Sequence, residues 1–141
     1  MSIFVKLPAN ASSFAKRKLV YGVGKNDAEY LTQTKIDGEK SICPAYRKWH
    51  SMLARCYSKP VIEKRPTYSG CTVCSEWLVF SNFSKWFDLN NIDGYDLDKD
   101  LKVKGNKVYS PETCLFVPAE INSLFTGAPS SRSCDLLGIK N

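Results

Sequence analysis

Between Pro44 and Tyr57 the apolar side chains fall at Tyr46, Trp49, Met52, Leu53 and Cys56, the rhythm of one buried helical stripe. Pro44 suits the first turn of that helix, and Arg47, Lys48 and Arg55 then face elsewhere, toward solvent or phosphate. Residues 75–90, SEWLVFSNFSKWFDLN, predict a second amphipathic helix capped by Ser75. Trp77, Phe80, Phe83 and Phe87 lie close to one of its faces, with Trp86 beside them. Such a row could stack on bases, but aromatic residues at helical spacing are more often core, and core is the reading taken. Residues 71–73 form a short strand. From Tyr95 the alternation YDLDKDL predicts a strand with Asp96, Asp98 and Asp100 on one face. Gly105-Asn106 marks a turn, KVYS a return strand, and SPETCLFV leads through Pro118 into a short helix at AEINSLF.

The rest of the chain carries less pattern. Residues 1–42 read as an irregular basic segment, with small polar residues around Pro8, Gly22, Gly24 and Gly38. The G-x-G of VYGVGKND lacks the third glycine and the helix of a dinucleotide fingerprint, so it reads as a turn. Residues 58–70 read as a loop with two prolines, and residues 127–141 as a loosely packed tail. At 141 residues one domain is expected, with its body at 43–126.

Charge sharpens the picture. The net charge is +6, and it is uneven: the first 70 residues carry +8 and the remainder −2. A basic half beside an acidic centre fits either a solvated face or a phosphate-contacting surface next to a cation site. No apolar run approaches a membrane span, and the N-terminus lacks a leader's apolar core, so a cytoplasmic protein is expected. Of six cysteines, only Cys71 and Cys74 form a C-x-x-C, a weak zinc signal by itself. Cys56 and Cys114 could join them in a four-thiolate structural Zn²⁺ site, or be small buried hydrophobes. The three alternating aspartates are either solvated or a Mg²⁺ site, which needs only one or two carboxylates. His50, the single histidine, lies off the apolar stripe and reads as a surface residue, with a ligand or proton-transfer role as the alternative.

Three blocks carry a resemblance: WHSMLARCY (49–57), VCSEWLVFSNF (73–83), and the run from LDKD (97–100) through Gly105-Asn106 and YSPETC (109–114) to Ile121-Asn122. Together they resemble a phage-encoded family described as HNH homing-endonuclease-like, many of whose members carry a second DNA-binding domain of the ethylene-response-factor type. The ending LLGI, residues 136–139, resembles the entry to that domain, which this copy is expected to lack. The resemblance implies an α+β fold: a small single domain with a ββα-metal hairpin-helix core and two flanking amphipathic helices. It also implies one Mg²⁺ or Mn²⁺ held against a scissile phosphate, in the cytoplasm of an infected bacterial host. Asp98 matches the strand-borne aspartate and Asn122 the helix-borne metal ligand. Lys99 stands where the family has its general-base histidine, and Thr113 near its central asparagine. A lysine acts as a base only where burial lowers its pKa by several units.

The expected function is therefore a metal-dependent DNA endonuclease or nickase, with Asp98, Lys99 and Asn122 at the centre and Arg47, Lys48, Arg55, Lys102 and Lys104 on phosphates. The alternative is a catalytically degenerate scaffold that binds DNA or blocks a host defence protein.

Overall fold

A computed structural model describes residues 4–99, 102 and 104–118. Its architecture is α+β, with four helices and three two-stranded sheets among the described residues. The centre is helix α2, Pro44–Tyr57, which begins at its proline and buries Ala45, Trp49, Met52, Leu53 and Cys56. Trp49, Met52 and Leu53 are wholly buried, as the stripe predicted. Packed across it lies α4, Phe80–Asn90, which contributes Phe80, Phe83 and Phe87 to the same core. The Trp49 indole N–H donates to the Trp77 carbonyl at 2.7 Å and ties the two together. The aromatic row is core, as read from its spacing.

The first 42 residues are more ordered than their composition indicated. Helix α1, Ala11–Lys16, is capped by Asn10, whose Oδ1 accepts the Ser13 N–H at 2.9 Å. Arg17 follows it and donates to the carbonyls of Asn26, Ala28 and Tyr30 at 3.0, 2.7 and 3.0 Å. Strands β1, Gln33–Ile36, and β2, Glu39–Ile42, pair as an antiparallel hairpin around Asp37-Gly38. Both central residues have positive φ, the mirror-type turn that matches strand twist and favours Asp-Gly. Only Thr34 is buried in the pair, so no apolar alternation announces it.

Residues 58–70 also correct the loop reading. Helix α3, Lys59–Lys64, starts with Pro60 in its first turn, and a 3₁₀ turn spans Pro66–Tyr68. Strand β3, Thr72–Val73, is where expected. The helix predicted from Ser75 is in fact two pieces: a 3₁₀ turn at Ser75–Leu78, then α4. The break falls at Val79, where Lys25 bridges the chain: its N–H donates to the Leu78 carbonyl at 2.7 Å and its carbonyl accepts the Phe80 N–H at 2.9 Å. Ser75 is not the cap. Asp27 performs that role from a distant segment, accepting the Ser81 N–H at 2.8 Å and the Ser81 hydroxyl at 2.6 Å.

Strand β4, Tyr95–Asp98, does not pair with KVYS. It pairs antiparallel with β6, Leu115–Pro118, while β5, Val108–Tyr109, pairs parallel with β3. Packing decides this. Phe116 of β6 stacks on Trp86 at 5.4 Å and meets Phe87 edge-on at 5.7 Å, so β6 is drawn onto α4 and β4 follows. The helix predicted at AEINSLF lies outside the described residues, as does the tail.

Candidate functional site

Helix α2 presents Arg47, Ser51 and Arg55 at successive i, i+4 positions, one stripe of side chains. Those three, with Lys48 and Leu97 of β4, line a groove of about 140 Å³. Three of the five cations expected on phosphates are thus brought together. Lys48 leans toward Asp96 at 3.8 Å; both side chains are about a third exposed, so the pair contributes no more than about 1 kcal/mol.

Arg55, expected to face solvent or phosphate, is only partly exposed. Its guanidinium lies 5.7 Å from the Tyr68 ring centroid, with Tyr109 close enough to act on its charge. Burial lowers its pKa, but Tyr109, Tyr68 and Asp96 outweigh that and leave it raised. Burial likewise pushes the Tyr109 phenol up, against the pull of Arg55. Arg55 is therefore a fixed charge at one end of the groove. Lys102 and Lys104 are exposed in the segment after β4.

Asp98 ends β4 opposite Leu115 and is buried. Lys99 is also buried, with Nζ 5.7 Å from the centroid of the Tyr109 ring. Asn106, read from sequence only as a turn residue, fixes this corner. Its Nδ2 donates to the Lys99 carbonyl at 3.0 Å and the Val108 carbonyl at 2.6 Å, and its Oδ1 accepts the Val108 N–H at 3.3 Å. The Gly-Asn pair was the available signal; that the amide reaches back to β4 was not legible. Thr113 clasps the turn before β6, its hydroxyl donating to the Val108 carbonyl at 3.0 Å and lying 2.8 Å from the Ser110 hydroxyl. Asp100 and Asn122 lie outside the described residues.

Cys56, Cys71 and Cys114 are buried, and Cys74 is partly so. Burial pushes Cys56 and Cys114 up to about 12 and raises Cys74 too. Cys56 senses Cys71 and Cys114, and Cys114 senses Cys74, so the four lie in one region. Among the described residues no group of three or more His, Cys, Asp or Glu side chains is arranged to hold an ion. Asp98 is the one described residue that the resemblance places on a cation.

His50 is half-buried, its ring 5.1 Å from Tyr21 and 5.8 Å from Tyr46, and burial lowers its pKa. It is neither a plain surface residue nor part of the groove. Among the described residues no helix is long and apolar enough to cross a membrane. Comparisons of the chain with protein-family models, with curated proteins and with solved structures gave no match.

Proposed function

We propose that the protein binds DNA along its phosphate backbone through the groove between α2 and β4, on a scaffold of the HNH homing-endonuclease-like kind. The observation that carries this is the lining of that groove: Arg47, Lys48 and Arg55 with the Ser51 hydroxyl. Each cation set against a phosphate displaces condensed counterions, which supplies affinity without reading sequence. Arg55 is only partly exposed and lies beside the Tyr68 ring, so less side-chain freedom is lost when it meets a phosphate oxygen. The test is the anisotropy of a labelled 20-base-pair duplex at low salt. Wild type binds it, and Arg47→Ala/Lys48→Ala binds it far more weakly; equal binding by the two would reject the groove.

Divalent-metal-dependent hydrolysis of the bound strand is the second reading. It rests on Asp98, the carboxylate that the resemblance assigns to a cation, which ends β4. A divalent cation, when bound, would polarise the phosphoryl group and acidify a water. Asp98 would hold it together with Asn122, while Asn106 orients the backbone at Lys99. Against hydrolysis stands Lys99, a buried lysine facing an aromatic ring in place of a histidine. Supercoiled plasmid with Mg²⁺ or Mn²⁺ separates the readings. Nicking by wild type and Lys99→Ala, lost in Asp98→Ala, indicates a nuclease. Folded wild type that binds without nicking indicates a binding module.

A further inference from the structure

Two turns in this chain share a mirror-type geometry and differ in their occupants. The β1–β2 hairpin turns on Asp37 and Gly38, at φ 52° and 80°, a pair suited to left-handed backbone. The segment bridged by Val20 and Gly24 turns on Tyr21 and Gly22, at φ 51° and 77°. A bulky residue in the left-handed region is strained, and such strain persists only where the surroundings over-determine it. Here they do. A Cβ on Gly24 would come within 2.5 Å of Leu53 Cδ1 and 3.0 Å of the Trp49 ring, so the turn is pressed tightly onto α2.

That seating fixes where the Tyr21 ring goes. It lies 5.1 Å from the His50 ring, tilted by 56°, and His50 lies 5.8 Å from Tyr46. The three make a short aromatic column whose outer member, Tyr21, is 40% exposed. Lys18 and Lys25 flank the same turn in the chain and together line the neighbouring surface hollow. Arg47 of the groove follows Tyr46 on α2. An exposed ring with an aromatic neighbour behind it, and lysines three and four residues away in the chain, suits one chemistry in particular: a nucleobase whose flanking phosphates need neutralising.

We propose that Tyr21 is a stacking platform for an unpaired nucleobase, so that the bound DNA is single-stranded at that point. This rests on the DNA-binding reading of the α2–β4 groove. The base would lie against the outer face of the Tyr21 ring, with Lys18 and Lys25 on the adjoining phosphates. His50, whose charged form burial disfavours, backs the ring at 5.1 Å.

The test compares a labelled oligo-dT with a labelled duplex of equal length, by anisotropy, for wild type, Tyr21→Gly, Tyr21→Asn and Tyr21→Phe. Glycine and asparagine both suit left-handed backbone, so these variants keep the turn and lose the ring. Tyr21→Gly and Tyr21→Asn are expected to bind oligo-dT about 5- to 150-fold more weakly, the range that one stacked base provides. Tyr21→Phe stays within about twofold of wild type, and all variants bind the duplex as wild type does. Unchanged oligo-dT affinity in Tyr21→Gly, with duplex binding intact, overturns the stacking role and leaves the groove standing. A wild type that binds neither probe overturns both.

Discussion

Replacing Gly24 by alanine adds one methyl group where the structure has no room for it. The new Cβ would lie 2.5 Å from Leu53 Cδ1 and 3.0 Å from two atoms of the Trp49 ring. Neither neighbour can easily move. Leu53 is wholly buried, and Trp49 is buried and pinned by its hydrogen bond to the Trp77 carbonyl. Gly24 is not in the left-handed region, so alanine meets no backbone strain and the whole effect is packing. Overpacking a dense core costs about 1–3 kcal/mol. Against this, alanine restricts the unfolded chain and offsets about 0.4–1 kcal/mol. The net expectation is destabilisation by about 1–2 kcal/mol, read as a lower midpoint in urea with an unchanged slope. Tryptophan fluorescence follows the transition directly, since Trp49 and Trp77 are in the core. The decisive control is the same change in a Leu53→Ala background. There the shortest clash is gone and only the 3.0 Å approach to the Trp49 ring remains, so Gly24→Ala should cost clearly less than in wild type, a coupling of about 1 kcal/mol. A neutral Gly24→Ala in the wild-type background, or strict additivity with Leu53→Ala, would refute this seating of the Tyr21 turn on α2.

Two further outcomes follow from contacts remote in sequence and from the buried thiols. Asp27→Ala removes both hydrogen bonds to Ser81 at the start of α4 and should cost about 1–2 kcal/mol in urea unfolding, whereas Glu29→Ala, on an exposed side chain, should change stability little. In alkylation at pH 8, half-exposed Cys74 should be modified before Cys56 and Cys114, whose thiols burial holds up at about 12; the order is read by peptide mapping, and simultaneous modification of all three would contradict it. The same raised values set a sign for stability. The fold keeps these thiols protonated while the unfolded chain ionises near its ordinary 9.0, so their contribution is complete below pH 9 and declines as pH rises toward 12.

What the sequence revealed, and what it hid, has a physical pattern. Helix α2 was legible to the residue because one apolar stripe and a first-turn proline both specify it. The interior of α4 was legible from its aromatic spacing, but its start was not. Val79 is held extended by Lys25, and Asp27 caps the helix, so the boundary is set by a segment far away in the chain. The β1–β2 hairpin escaped because its strands are mostly exposed and the one buried side chain, Thr34, is polar, leaving Asp37-Gly38 as the local signal. The partner of β4 was misread because the nearest strand in sequence was chosen. Phe116, packing on Trp86 and Phe87, selects β6 instead. At the candidate site, Arg47 and Lys48 could be read from the helical wheel. That Arg55 lies beside the Tyr68 ring, and that Asn106 reaches the backbone of Lys99, depends on tertiary contacts that no spacing rule encodes.

The central claim, that the α2–β4 groove grips phosphates, is tested most directly by the salt dependence of duplex affinity. Each phosphate contact contributes a slope of about −0.9 in log K against log salt. Wild type and Arg47→Ala/Lys48→Ala would be titrated with the same labelled duplex at several salt concentrations, after fluorescence has shown both to be folded. The account predicts a slope shallower by about 1.8 in the double variant, one unit of about 0.9 for each cation removed. Equal slopes in the two proteins, or no binding by wild type at low salt, would contradict it.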